Sequence, residues 1–170
     1  KIKKLSVIGK ILIKWRKYSQ PVGVEVLSIT GIIVQARLGS TRLPNKVMKK
    51  INGKPLIELL LKRLTRCKNV DVIILATSHH EKNEPLINFV RELGFPVFSG
   101  SENNVLERYL HCAQEFRVDT IVRITGDCPV ADPNLIDAML LKFKERKVDY
   151  LSNTLKPTFP DGLDVEIFDH

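Results

Sequence analysis

The stretch "IIVQARLGSTRLPNK", residues 32–46, decides the fold of this 170-residue chain. Its first five residues, "IIVQA", form a short and largely apolar run that predicts a buried strand. The polar remainder predicts a loop, and an amphipathic helix follows it, with Pro55 in its first turn. A buried strand that leads through a loop into an amphipathic helix is the repeating unit of α/β proteins.

The same alternation of strand and helix continues to residue 153. This order predicts a three-layer α/β/α fold around a mostly parallel sheet. We therefore expect one domain over residues 31–170, preceded by a basic N-terminal extension and linker at residues 1–30. Further strands are predicted at 70–77, 95–98, 119–125 and 148–153, and further helices at 84–93, 104–116 and 134–146.

The positive charge of the chain is concentrated near its N-terminus. The formal net charge is +8, but the first twenty residues carry seven of the 27 basic residues and no acidic residue. The remaining sequence is nearly balanced in charge, which argues against the broad basic face of a nucleic-acid-binding protein. The three cysteines are dispersed and form no CxxC pair, which is typical of reduced thiols in a cytoplasmic protein.

The first twenty residues, "KIKKLSVIGKILIKWRKYSQ", place apolar side chains at helical spacing among lysines. A basic amphipathic helix of this kind can lie on an anionic membrane surface. The alternative is an extension that packs through its apolar stripe. No apolar run in the sequence reaches the roughly 20 residues that a membrane-spanning helix needs.

Three cations, Arg37, Arg42 and Lys46, surround the glycine-containing part of the first loop. Residues 26–57 contain no acidic residue, so the pattern favours a bound anion over a solvated loop whose cations pair locally. Gly39 permits a close approach of the backbone, whose N–H groups can form an anion nest. Arginine forks and a lysine point charge both suit phosphate oxygens. The common GxxxxGK(S/T) and GxGxxG patterns are absent.

Asp127 follows the predicted strand at 119–125. In an open α/β sheet, ligands bind beyond the carboxyl ends of the strands, so we expect Asp127 and the cationic loop to lie on the same edge. A carboxylate opposite a polyphosphate suits Mg²⁺, which takes one or two carboxylates together with phosphate oxygens. The alternative is a turn residue, because the surrounding Gly-Asp-Cys-Pro segment also favours a turn.

Four segments carry a family resemblance: "IIVQARLGSTRLPNKVMKKINGKPLIELLLKRL", "VFSGSENNVLERY", "VRITGDCPVADPNLID" and "SNTLKPTFPDGLDVEIF". In their order and spacing they resemble cytidylyltransferases of the spore-coat polysaccharide biosynthesis type. That family is related to acylneuraminate and 3-deoxy-manno-octulosonate cytidylyltransferases. The resemblance implies a nucleotide-diphospho-sugar-transferase-like fold and Mg²⁺-dependent transfer of CMP from CTP to a sugar or sugar acid. It also implies pyrophosphate release and a homodimer, with a role in surface polysaccharide biosynthesis.

The resemblance also implies roles for individual residues. Arg42, Lys46 and Asp127 would be catalytic, and Asp127 and Asp164 would bind the metal. A larger set, which includes two of the catalytic residues, would contact the nucleotide. It comprises Gln35, Ala36, Arg37, Gly39, Ser40, Arg42, Lys46, Ser101, Asn104, Arg108 and Thr125.

Two departures from the family pattern leave the base and the sugar open. The family usually carries an acid where Asn103 and Asn104 stand, and Thr125 stands where the acidic-sugar synthetases have a glutamine that recognises cytosine. Family members also continue beyond the point where this sequence stops, so we expect it to be C-terminally truncated. A nucleotide-sugar-dependent glycosyltransferase and a non-catalytic nucleotide-binding module remain alternatives. The first normally needs a DxD site, to which residues 164–166 are the nearest approach.

Overall fold

The computed structural model describes residues 28–39, 43–157 and 159–170. Most of the predicted N-terminal extension, up to residue 27, therefore lies outside the described residues, together with the amphipathic pattern in it. Ser40 and Arg42 of the cationic loop also lie outside them.

The described residues form eight strands and four α-helices. The strands are β1 Thr30–Gln35, β2 Lys50–Ile51, β3 Lys54–Pro55, β4 Val72–Ser78, β5 Val97–Gly100, β6 Thr120–Thr125, β7 Tyr150–Ser152 and β8 Glu166–Asp169. The helices are α1 Leu56–Leu64, α2 Glu84–Glu92, α3 Val105–Phe116 and α4 Pro133–Arg146. Every predicted strand and helix of the alternating pattern is present, with bounds shifted by one or two residues.

Six of the strands form one sheet in the order β5-β4-β1-β6-β8-β7. The four strands from β5 to β6 are parallel, and β8 runs antiparallel to both β6 and β7. The prediction of a mostly parallel sheet is therefore confirmed. The other two strands, β2 and β3, form a separate hairpin around Asn52 and Gly53, which have φ angles of 48° and 80° and form the kind of Asn-Gly turn that hairpins favour.

Helices cover both faces of the sheet, as a three-layer fold requires. Ile32 and Val34 of β1 belong to the core cluster that includes the buried residues of α1, α2 and α4. Ile33 belongs to the opposite cluster, whose helical members come from α3. Successive strand side chains point to opposite faces, so a strand buried on both faces carries an uninterrupted apolar run. This burial on both faces accounts for the apolar run at the start of residues 32–46.

The end of β6 passes very close to the end of β1. The backbone N–H of Gly126 donates to the carbonyl of Gln35 at 2.8 Å. A Cβ atom added to Gly126 would lie 2.6 Å from the Cβ of Ala36, a distance that backbone movement alone could relieve. Gly126 therefore allows the segments that follow β1 and β6 to leave the sheet in close contact.

We expect Gly126→Ala to lower the free energy of unfolding by about 1–3 kcal/mol, the usual cost of forcing extra volume into a packed site. Urea titration monitored by circular dichroism measures this change. Gly39→Ala is the matched control, because an added Cβ there meets no described residue within 4 Å, and its effect should stay within about 0.5 kcal/mol. Equal stability of the two variants would contradict the close approach.

Candidate active site

The cationic loop and Asp127 meet at the carboxyl edge of the sheet, as the sequence predicts. Lys46 begins a short 3-10 helix, Lys46–Met48, and its Nζ lies 2.6 Å from Oδ2 of Asp127. The two side chains are 38% and 41% exposed, so both face the solvent where a ligand can reach them. The lysine therefore has an acidic partner, which comes from the turn after β6 and not from its own loop.

The local hydrogen bonds keep Asp127 charged. Partial burial acts to raise the pKa of this carboxyl, but hydrogen bonds from Lys46 and Thr125 and the charge of Lys46 outweigh burial and lower it. Burial raises the pKa of the adjacent Cys128 thiol, and that thiol lies 3.0 Å from the hydroxyl of Thr125. Cys128 is consequently a protonated and mostly buried neighbour, not a nucleophile.

Residues of the cationic loop differ in what they expose. The side chain of Ala36 is 6% exposed and belongs to the core, so only its backbone is available to a ligand. Arg37 and Gly39 are exposed. Of the seven loop residues predicted to contact a nucleotide, the structure thus places five at the edge, and Ser40 and Arg42 lie outside the described residues.

The segment after β5 is held together by the residues predicted to contact the nucleotide. The hydroxyl of Ser101 accepts from the N–H of Asn104 at 3.1 Å, and Oδ1 of Asn104 accepts from the N–H of Glu107 at 3.1 Å. Asn104 is therefore the N-cap of α3. The buried Arg108 donates from Nη1 to the carbonyl of Ser101 at 2.6 Å. These contacts give all three residues a structural role.

A metal at this edge would find Asp127 as its first carboxylate. Asp164 is exposed, in the segment before β8. No group of three histidine, cysteine or acidic side chains within the described ranges lies close enough to hold a metal ion.

A second polar cluster lies beside α3 and joins the strands β6, β7 and β8. The guanidinium of Arg123 pairs with the carboxylate of Glu166, which also accepts from the hydroxyl of Tyr150 at 2.9 Å. The same guanidinium lies 5.9 Å from the centre of the Tyr109 ring. Glu166 is therefore engaged in pairing β6, β7 and β8, whereas Asp164 is not part of this cluster.

A model of the cytidylyltransferase family matches residues 31–168. This chain belongs to the cytidylyltransferase family. The match covers the cationic loop, Asp127 and the segment before β8, so every element of the candidate site lies within the family region.

Relatives and solved structures agree with this assignment. The chain is 37% identical over 122 residues to the spore coat polysaccharide biosynthesis protein SpsF of Bacillus subtilis, covering 69% of this chain and 51% of that protein. It is 32% identical over 131 residues to 3-deoxy-manno-octulosonate cytidylyltransferase of Chlorobium chlorochromatii, covering 76% and 52%. A cytidylyltransferase structure from Leptospira borgpetersenii aligns with a TM-score of 0.80 and 34% identity, covering 84% and 60%.

The chain thus spans about half the length of the curated relatives that it matches. Among the described residues, no helix is long and apolar enough to cross a membrane.

Sequence reasoning missed Asn83, which anchors the cationic loop. Asn83 is 2% exposed and ends a 3-10 helix, Glu81–Asn83. Its Oδ1 accepts from the N–H of Leu38 at 2.9 Å, and its Nδ2 donates to the carbonyl and hydroxyl of Ser78 at 3.1 and 2.8 Å. The amide thereby ties the loop after β1 to the end of β4. Its only sequence signal was its place in a polar segment after a strand.

We expect Asn83→Ala to lower the free energy of unfolding by about 1–3 kcal/mol, because it leaves a buried N–H of Leu38 without an acceptor. It should also weaken nucleotide binding, since the loop loses its anchor. Denaturant titration and calorimetry with a nucleoside triphosphate measure the two effects. Asn134→Ala, at an exposed position of α4, is the control, and a similar change in both variants would argue against the anchor.

Proposed function

We propose that the protein is a Mg²⁺-dependent cytidylyltransferase that transfers CMP from CTP to a sugar or sugar acid and releases pyrophosphate. The product would serve surface polysaccharide biosynthesis, as the names of its relatives suggest. The observation that carries the proposal is the contact of Lys46 with Asp127, which brings together a cation that suits phosphate and a carboxylate that suits a metal ion. Both groups are partly exposed there.

The cationic loop would hold the triphosphate. Arg37 and Arg42 suit paired hydrogen bonds to phosphate oxygens, and Lys46 supplies a point charge. Gly39 and Ser40 would let backbone N–H groups approach the same oxygens. In the reaction, a hydroxyl of the acceptor attacks the α-phosphorus, its proton passes to solvent, and pyrophosphate leaves as the bond between the α-phosphorus and the bridging oxygen breaks. Arg42 and Lys46 would neutralise charge that grows on the leaving group.

Binding of the triphosphate would separate Lys46 from Asp127. The lysine exchanges a carboxylate partner for phosphate oxygens, and the released carboxylate becomes available as a metal ligand, with Asp164 as the candidate second carboxylate. Mg²⁺, when bound, supplies neutralisation of phosphate charge and polarisation of the α-phosphate.

The glycosyltransferase alternative receives little support from the structure. It would need two adjacent carboxylates for its metal, and Asp164 and Glu166 are the nearest pair. Glu166 is already paired with Arg123 and accepts from Tyr150. A dimer of the whole protein, a cytoplasmic location and the domain limits at residues 30 and 31 stay predictions from the sequence.

We expect Asp127→Asn to lower the rate of pyrophosphate release from CTP by about 10²- to 10³-fold, the usual cost of removing one transition-state electrostatic partner. The fold should remain, because the side chain is 41% exposed. A coupled pyrophosphate assay on the full-length protein, with candidate sugars and sugar acids as acceptors, measures the rate. Asp149→Asn, also exposed, is the control; turnover unchanged by Asp127→Asn would end the assignment.

A further inference from the structure

The side chain of Gln35 carries a buried acceptor that has no donor. Its Oε1 atom is shielded from solvent and has no hydrogen-bond partner among the described residues. A buried polar atom without a partner is costly in a folded protein. Gln35 is the last residue of β1, so this acceptor lies at the carboxyl edge, where ligands of α/β sheets bind.

Arg108 carries a buried donor in the same condition. The residue is 3% exposed, and its Nε has no acceptor among the residues that the structure describes. Its Nη1 is held by the carbonyl of Ser101 at 2.6 Å, which fixes the orientation of the guanidinium. Burial lowers the pKa of Arg108, and the charge of Arg37 acts in the same direction. An arginine so placed is better satisfied when a ligand offers it an acceptor.

Both groups belong to the α3 side of the sheet. Gln35 lies two residues after Ile33, whose side chain packs in the cluster of α3, and side chains two residues apart on a strand share a face. Arg108 is part of α3 and lies against Gly100 of β5, where an added Cβ would be 3.1 Å from its Cγ. Only β4 separates β5 from β1. The acceptor and the donor thus flank one short stretch of the edge.

Thr125 does not compete for this role. It is the partner of Gln35 across the β1–β6 ladder, but its hydroxyl is engaged by the thiol of Cys128 at 3.0 Å and by the carboxyl of Asp127. Of these two paired residues at the ends of β1 and β6, Gln35 is therefore the one whose side-chain acceptor has no partner among the described residues.

An unpartnered acceptor and an unpartnered donor at one edge of the sheet can together complement cytosine. Cytosine presents an amino donor at C4 beside the N3 acceptor, whereas uracil presents a carbonyl acceptor and an N–H donor at the same two places. We propose that Gln35 accepts from the 4-amino group of cytosine and that Arg108 donates from Nε to its N3 atom. The proposal rests on the proposed function and adds to it the residues that select CTP.

The test compares CTP with its 4-deamino analogue, the triphosphate of pyrimidin-2-one riboside, and with UTP. Affinities of the full-length protein are measured by isothermal titration calorimetry with Mg²⁺. The wild-type protein should bind CTP about tenfold more tightly than the deamino analogue, as expected for one buried hydrogen bond. The Gln35→Met variant should bind CTP and the deamino analogue equally tightly. In this variant the 4-amino group has no acceptor, so its removal from the nucleotide costs no further affinity.

Two further variants separate recognition from folding. Gln35→Glu keeps the acceptor, so it should keep the preference for CTP over the deamino analogue. Arg108→Lys keeps the charge but loses Nε, so it should reduce the preference for CTP over UTP by about tenfold. Gln114→Met and Arg91→Lys, both at exposed positions, are the controls and should leave every ratio unchanged.

Three outcomes would contradict the recognition of the amino group, the recognition of N3 and the proposed function, respectively. If Gln35→Met still prefers CTP over the deamino analogue, or weakens both nucleotides equally, Gln35 does not recognise the amino group. If Arg108→Lys leaves the CTP-to-UTP ratio unchanged, Arg108 does not recognise N3. If the wild-type protein binds no triphosphate at all, the proposed function fails, and base recognition fails with it.

Discussion

The candidate site depends on the parallel pairing of β1 with β6. Gln35 lies opposite Thr125 in this ladder, so the two chains leave the sheet side by side, and Gly126 keeps them in contact through its bond to the Gln35 carbonyl at 2.8 Å. Only because of this pairing do Lys46 and Asp127, which are far apart in sequence, meet at 2.6 Å. A register shift of one residue would turn every β6 side chain to the other face and dismantle the edge.

Much of this arrangement could be predicted because the relevant signals are local. Strands buried on both faces appear as apolar runs, and helices appear as apolar positions at helical spacing. The order of these elements then fixes which loops share an edge, which is why Lys46 and Asp127 could be expected together. The position of β8 was harder, because the sequence does not show that a later antiparallel strand separates β7 from β6.

The residues that support the site were less accessible from sequence. Asn83 acts through hydrogen bonds to Leu38 and Ser78, contacts that join two loops and leave no periodic pattern. Asn104 and Ser101 show a related ambiguity, because an N-cap and a ligand contact both call for a short polar side chain at the end of a strand or the start of a helix. Only the hydrogen bonds show that their oxygens already have backbone partners.

In residues 164–166, at the start of β8, one carboxylate supports the sheet and the other is exposed to the solvent. Val165 is fully buried and holds this segment against the core, while Glu166 is consumed by Arg123 and Tyr150. Asp164 is exposed. Burial raises the pKa of the Cys128 thiol most, and the charges of Asp127 and Asp164 act in the same direction. The burial of Val165 and the pairing of Glu166 therefore leave Asp164 as the residue of this motif whose side chain is exposed to the solvent.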